Sequence, residues 1–561
     1  MSISKYLGVR SGKDGRVMDK IRVMYITVGV RMGGAVQSLL DMVTANQDII
    51  EPTIIMPMNG PLEDYLHKHD IRYFIVPFEA GYGKQGTDSK KKQDDNFVNN
   101  YSAALQLQRI IAEGNIQLIH TNTSVTNVGA FAALLSDVPH IWHIREFVRE
   151  GLGCEFWDAE LKKKLFSCTE KYIAISESIR QKYSQEYGID MEKLYNGIGI
   201  DRFIEDINEK DDNCNFLLAG DIIPEKGQFD AIKAMEVLLS SGERSSNLYL
   251  VGAGDYKYIW LLKQYVKKHN LQEAVHFLGY RESLKNLRKK CRFSLTASKM
   301  EALGRITVEA MLAGNIVVGA DTGGTAEIIG DDLSRGYLYR QGDYKDLARV
   351  MALALDNADH NKTILDRAQK YAIENFNPQK YILRMVEIYR EVLSDRSDAR
   401  NNKKKRLLLE LEERYTDLCA GSKSSNVIGY RRNKMPAAFR ETRRWLTMKQ
   451  AGLSIEDVLI KKGISSIAIY GMGYLGCSLY DELEGGGVRI EYIMDKGMED
   501  TANVIRLVSM EEELPEADAV VVTVLSEIQN LCEQLRKKCS YKIVSIVEIL
   551  DWCEDSMIGL E

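Results

Sequence analysis

Residues 297–332 read ASKMEALGRITVEAMLAGNIVVGADTGGTAEIIGDD, and the fold is decided by how this stretch is divided. Glu301 and Glu309 stand eight apart around Gly304; an apolar strand pattern follows at 316–319, then the glycine pair Gly323-Gly324. Were the whole interval helical, the two carboxylates would lie ~80° apart around the axis and share no face. The spacing instead predicts Glu301 and Gly304 in a loop, a helix opening near Ile306, and Glu309 in its first turns. Such a helix aims its unbonded N–H groups and the positive end of its dipole into the loop. A diphosphate suits that position, with a carboxylate on either side to accept hydrogen bonds from sugar hydroxyls.

Working outward, the pattern on both sides alternates strands, glycine turns and helices. A strand at 21–27, the turn at Gly33 and Gly34, and a helix at 35–45 open a doubly wound α/β unit. Further strands are expected at 53–56, 73–76, 118–121, 140–143 and 172–175, with helices at 101–113 and 127–135. The polar segment 81–96 carries no apolar period and reads as a loop. A second α/β unit begins with the strand 216–219, continues at 248–251, 276–278, 293–296 and 316–319, and ends in helices at 344–355 and 378–393. The charged segment 395–425 includes the run KKKR at 403–406, and helices are expected at 440–452 and 454–463.

Bulk properties narrow the function. A chain of 561 residues has room for about three cores. A net charge of −6 gives no electrostatic case for nucleic acid. Nine cysteines without CxxC spacing fit reduced thiols rather than a disulfide framework or zinc site. The polar first twenty residues lack a signal-peptide core, and no apolar run reaches membrane-spanning length, so a cytoplasmic protein is expected.

Glu301-Ala-Leu-Gly-Arg-Ile-Thr-Val-Glu309 resembles the signature of the retaining family-4 glycosyltransferases: a glutamate, seven residues, then a glutamate on a helix. The resemblance extends to the first glycine turn, to Asn196 and to Lys226, over roughly 21–393. It implies a GT-B fold, two Rossmann-like domains facing across a cleft, with a helix crossing back onto the first. Glu301 is then expected to contact the donor sugar and Glu309 the ribose of a UDP- or GDP-linked sugar. Lys226 would hold the diphosphate, supported by Gly33, Gly34, Leu303, Gly304, Arg305, Gly254 and Gly324. His143, at the end of a first-domain strand, would face the sugar, and Asn122, Ser124 and Arg145 the acceptor. The family usually places an arginine after the glycine of the 219–228 loop, where this chain has Asp221, and Arg305 is the candidate replacement. No cluster has metal-ligand spacing, so the leaving diphosphate is expected to rely on these cations and on backbone N–H groups without a metal.

A third unit carries its own fingerprint. The strand 466–470 runs into Gly471-Met-Gly473-Tyr-Leu-Gly476 and a helix, and a second strand ends at Asp495, nineteen residues after the last glycine. Glycine turn and acid together match a dinucleotide fold, read either as a nucleotide site or as an assembly module. The expected organisation is a first Rossmann-like domain (1–200), a donor domain (201–377), the crossing helix (378–395), a helical connector (396–463) and a small Rossmann-like domain (464–561). The expected reaction is transfer of a sugar to a glycan or lipid-linked acceptor, as in surface-polysaccharide synthesis. The basic segments leave open contact with the inner face of a membrane. The competing readings are a nucleotide-sugar epimerase and a non-catalytic scaffold subunit.

Overall fold

The computed structural model describes residues 20–558, apart from 31–32, 46, 85, 87–88, 205–213, 243–245, 331, 396–397, 422–440, 442–443, 446–447, 450–451, 496–505 and 526–527. The chain forms two compact units. The first is Met1–Gly220, Glu225–Gly252 and His276–Val427; the second is Asp221–Pro224, Ala253–Val275 and Ile428–Glu561.

Nineteen strands are named among the described residues: β1 (Ile21–Ile26), β2 (Ile50–Met56), β3 (Arg72–Ile75), β4 (Tyr82–Lys84), β5 (Leu118–Thr121), β6 (His140–Ile144), β7 (Cys154–Phe156), β8 (Lys171–Ala174), β9 (Glu192–Lys193), β10 (Phe216–Ala219), β11 (Leu248–Val251), β12 (Val275–Phe277), β13 (Phe293–Thr296), β14 (Ile316–Ala320), β15 (Tyr337–Tyr339), β16 (Ser466–Tyr470), β17 (Arg489–Met494), β18 (Ala519–Val522) and β19 (Lys542–Ser545). The first sheet runs β3-β2-β1-β5-β6-β8-β9, with every pairing parallel. The second runs β12-β11-β10-β13-β14-β15. Both reverse direction beside their first strand, and in such sheets ligands bind past the carboxyl ends at that switch point. The loops after β1, β5, β10 and β13 carry Gly33 with Gly34 at the helix start, Asn122 and Ser124, Lys226, and Glu301 to Gly304 respectively. Strands β5, β6, β13 and β14 are buried along their whole length, as strands of a parallel sheet covered on both faces are.

The helices that position the site are α1 (Gly34–Ala45), α2 (Glu177–Tyr187), α3 (Arg305–Leu312), α4 (Gly323–Ile329), α5 (Pro378–Ser394) and α6 (Asp398–Gly421). Helix α5 begins with Pro378 at its first turn, capped by the Asn377 side chain. Its Tyr381, Met385, Val386 and Tyr389 are buried among Val23, Tyr25, Ile50 and Ile54, so the crossing helix completes the first sheet's core.

Two expectations are corrected. The segment 81–96 is not a loop: β4 pairs antiparallel with β7, and Ser89 caps a helix from Lys90 to Glu113. Its opening turns are polar because Arg414 of α6 reaches Asp94 there (3.1 Å), while its second guanidinium arm holds Asp158 (2.9 Å). Nor does the run KKKR, for which solvated helix faces are the plainer reading than membrane contact, lie wholly in solvent. Lys404 is buried in an ion pair with Glu170 (2.5 Å), whereas Lys403, Lys405 and Arg406 are exposed. The basic residues at 431–432, 440 and 443 fall outside the described residues.

The second unit holds the parallel sheet β17-β16-β18-β19. The helix Tyr256–Lys268 belongs to it: Trp260 is buried beside Leu475, Cys477 and Leu479, and its indole N–H donates to Asp481 (2.6 Å). Among the described residues no helix is long and apolar enough to cross a membrane.

Candidate functional site

Glu301 lies in the loop between β13 and α3, as its spacing predicts. Its Oε1 accepts hydrogen bonds from Lys226 Nζ and from Ser298 Oγ, both at 2.6 Å. Lys226 comes from the short turn Pro224–Lys226 after β10, so the loops of the two strands at the switch point meet in one ion pair. Gly304 caps α3 with φ +80°, a left-handed conformation that costs glycine little. Gly324 N–H donates to the Glu301 carbonyl (2.7 Å), and a Cβ at Gly324 would lie 2.4 Å from the Leu303 carbonyl. Only a glycine at 324 lets α4 close against the Glu301 loop. Leu303 itself is buried in the core.

Glu309 is buried one turn into α3, and both its oxygens are engaged. Arg305 Nε donates to Oε1 (2.9 Å) and Arg288 Nη2 to Oε2 (2.8 Å), leaving two of its four acceptor positions. Arg305 also reaches α1, donating to Ser38 Oγ (3.2 Å) and standing 3.6 Å from Asp41. Gly34, at the start of α1, would place a Cβ 3.8 Å from Arg305 Cδ, whereas Gly33 faces open space. Thus Gly34, Arg305 and Glu309 are brought together by the two sheets' switch-point loops.

The first-sheet candidates form a buried network instead of a surface. His143 is fully buried. Its Nδ1 stands 3.2 Å from both Arg145 Nη2 and His120 Nε2, and its Nε2 has no hydrogen-bond partner. Burial, then the adjacent guanidinium, holds its pKa well below the usual value, so the ring is neutral. Because Arg145 can only donate, Nδ1 accepts and the ring proton rests on Nε2. Arg145 Nε donates to Asn122 Oδ1 and Nη1 to Asn196 Oδ1, each at 2.7 Å, and Asn122 Nδ2 in turn donates to the Ala35 carbonyl of α1 (3.2 Å). Ser124 turns away from this group: its N–H and hydroxyl both donate to Glu146 Oε1 (2.5 and 2.6 Å).

Beneath Ser124 lies Lys162, donating to the Ser124 carbonyl (2.6 Å) with its ammonium over the rings of Trp142, Phe156 and Phe166. Desolvation pulls its pKa down to about 7. The unfolded chain therefore holds one more proton than the folded one between about pH 7 and the ordinary lysine value, and stability should rise with pH across that window. Lys162→Met is expected to flatten the rise. A pH series of unfolding midpoints in which variant and parent keep the same slope would refute this.

Sequence reasoning missed Arg288 and the partner of Asn196. Arg288 sits in the run Lys285–Lys290, which reads as a solvated face, and only the helix phase selects the one inward residue. Asn196 looks like a turn residue but is an acceptor for Arg145. Glu327, on α4 just after the glycine pair, binds the backbone of α2.

The remaining candidates lie in the second unit. Gly254 bridges to Ile222, so close that a Cβ would stand 2.1 Å from the Ile222 carbonyl. Gly471 has φ +98°, Gly476 packs on the Gly471 carbonyl, and Gly473 is open. The strand-end acid is already engaged: Asp495 Oδ2 accepts from Met472 N–H (2.6 Å) and pairs with Lys257 (2.5 Å).

Comparison with known proteins agrees with this geometry. Residues 199–371 match the family profile described as glycosyl transferases group 1, and residues 32–202 match glycosyltransferase family 4. An uncharacterized glycosyltransferase of Methanocaldococcus jannaschii is 26% identical over 300 residues, 51% of this chain and 79% of that protein. N-acetyl-alpha-D-glucosaminyl L-malate synthase of Bacillus anthracis is 29% identical over 168 residues, 30% of this chain and 42% of that protein. Among solved structures, Anabaena HepE in complex with UDP-glucose superposes with a TM-score of 0.56 at 21% identity, over 66% of this chain and 100% of that one. TarM superposes at 0.53 and 12% identity, over 67% and 99%. These neighbours share the two-sheet GT-B fold.

Proposed function

Since the chain belongs to the family-4-like glycosyltransferases of the GT-B fold, we propose that it moves a sugar, with retention of anomeric configuration, from a nucleotide-diphosphate sugar to a glycan or lipid-linked acceptor. The observation that carries this reading is the Lys226–Glu301 pair, held where the loops after β10 and β13 meet at the N-terminus of α3. A carboxylate and an ammonium 2.6 Å apart balance each other's charge. When a donor enters, the ammonium turns to its diphosphate and the carboxylate accepts from sugar hydroxyls.

In this mechanism Lys226, Arg305 and the N–H groups at the starts of α3 and α1 stabilise the departing diphosphate, with no metal ion required. Glu309 accepts from the ribose diol with its two remaining positions. His143, a neutral ring whose Nε2–H has no partner among the described residues, is assigned to the sugar from the first sheet. Asn122 and Arg145 hold that ring in place. The bond from the anomeric carbon to the phosphate oxygen breaks while the bond to the acceptor oxygen forms on the same face, and the acceptor proton passes to the leaving phosphate. The donor is expected to be UDP-linked, by analogy with HepE, and the setting the synthesis of a surface polysaccharide. In the second unit Asp495 is committed to Met472 and Lys257, so no ribose is assigned to it.

A thermal-shift panel of nucleotide sugars tests the reading. At 100 times its dissociation constant the correct donor adds about 2.7 kcal/mol to the stability of the unit that binds it. Absence of stabilisation by every UDP- and GDP-linked sugar would defeat the assignment.

A further inference from the structure

Glu327 is one turn into α4, and its carboxylate gathers donors from the far side of the first unit. Glu177 N–H donates to Oε1 (3.0 Å) and Oε2 (2.9 Å), Ser178 N–H to Oε2 (3.3 Å), and the Tyr195 hydroxyl to Oε1. Lys193 Nζ stands 3.8 Å away. Glu177 and Ser178 are the first two residues of α2, and the third N–H, that of Ile179, is taken by the capping hydroxyl of Ser176. The orphan donors at the start of α2 are therefore met partly from within and partly by a carboxylate from the other sheet's layer, which also sits favourably against the helix dipole. At its other end α4 is fixed to the catalytic loop: Gly324 N–H donates to Glu301, and Gly323 approaches the Glu301 carbonyl so closely that a Cβ would stand 2.4 Å from it. One short helix thus ties the Glu301 loop to α2.

We infer that Glu327 is a positioning residue: it locks the loop carrying Glu301 against α2 and so sets how the carboxyl edges of the two sheets close on the donor. With its carboxylate taken up by the first N–H groups of α2 and the Tyr195 hydroxyl, Glu327 acts through the backbone of α4. Loosening it lets the Glu301 loop move and admits water to the donor.

Hydrogen exchange read by mass spectrometry on the full chain tests this without any ligand. In Glu327→Gln, which keeps the shape and removes the charge, exchange is expected to quicken several-fold at 176–180 and also at 298–304, across α4. A purely local cap would affect only 176–180, and that outcome overturns the inference. Should Glu327→Gln fail to fold, Tyr195→Phe, which removes one donor to the same carboxylate, decides in the same way with a smaller change. In turnover, acceptor-free hydrolysis of the donor found by the thermal panel should rise relative to transfer by about tenfold, and an unchanged ratio counts against the lock. The inference rests on Glu301 holding the sugar. If Glu301→Ala retains transfer, that reading fails; if Glu301→Ala is inactive while Glu327→Gln leaves loop exchange and the hydrolysis ratio unchanged, only the lock fails.

Discussion

Glu301→Ala is expected to lower kcat/KM for glycosyl transfer by about 10²–10³-fold, a loss of ~3–4 kcal/mol of transition-state stabilisation. The carboxylate lies in the loop at the N-terminus of α3, and among the described residues the Lys226 and Ser298 donors engage it. The variant separates its two proposed roles. Towards the sugar, the acceptor for developing partial charges is lost, and kcat should carry most of the fall. Towards Lys226, the competing partner is lost, and the ammonium becomes fully available to a diphosphate. Affinity for the free nucleoside diphosphate should therefore hold or tighten, as calorimetry would register. Glu301→Gln should fall between the two for transfer, since it keeps one acceptor oxygen without the charge. Transfer within about threefold of the parent in Glu301→Ala would remove the glutamate from the chemistry altogether.

Much of this arrangement could be read from residues alone, and what escaped did so for identifiable reasons. Strands β5, β10, β11, β13 and β16 fall where the sequence places them, because buried parallel strands are short, mostly apolar runs with glycine or polar residues at their ends. The opening of α3 was legible because Gly304 marks the turn and eight residues cannot carry both glutamates on one face. Polarity misled at 81–96, where the start of a helix is polar on account of an arginine 320 residues away. It misled again at Lys404 and Arg288, since an inward cation looks like any other until its carboxylate partner is placed. The burial of His143, Asn122 and Arg145 was equally hidden: position at a strand end tells which edge a residue occupies but not how deep it lies. For Asp495 the fingerprint gave the turn, while Lys257, which neutralises the acid, comes from a helix more than two hundred residues earlier in the chain.

Arg288→Met is expected to destabilise the first unit by about 3 kcal/mol, the largest stability effect of any single change around the site. Arg288 and Glu309 are 4% and 10% exposed at the side chain, so neither charge recovers water when its partner is removed. The loss is held below that of a fully orphaned ion because Arg305 still donates to the other carboxylate oxygen. The guanidinium also lies 5.3 Å above the Phe203 ring, and methionine keeps part of that apolar contact while removing the charge. Adding Glu309→Leu to Arg288→Met takes away the stranded carboxylate, and the double variant should regain most of the stability. It should not regain nucleotide binding, because the proposed acceptor for the ribose diol is gone. Urea midpoints of the first unit, followed by pulse proteolysis, measure the stability part, and nucleotide calorimetry the binding part. A single variant that loses less than about 1 kcal/mol would mean that Arg305 alone satisfies Glu309. A double variant that still binds nucleotide would mean that the ribose is held elsewhere and that this buried trio serves only to join the helix Lys285–Lys290 to α3.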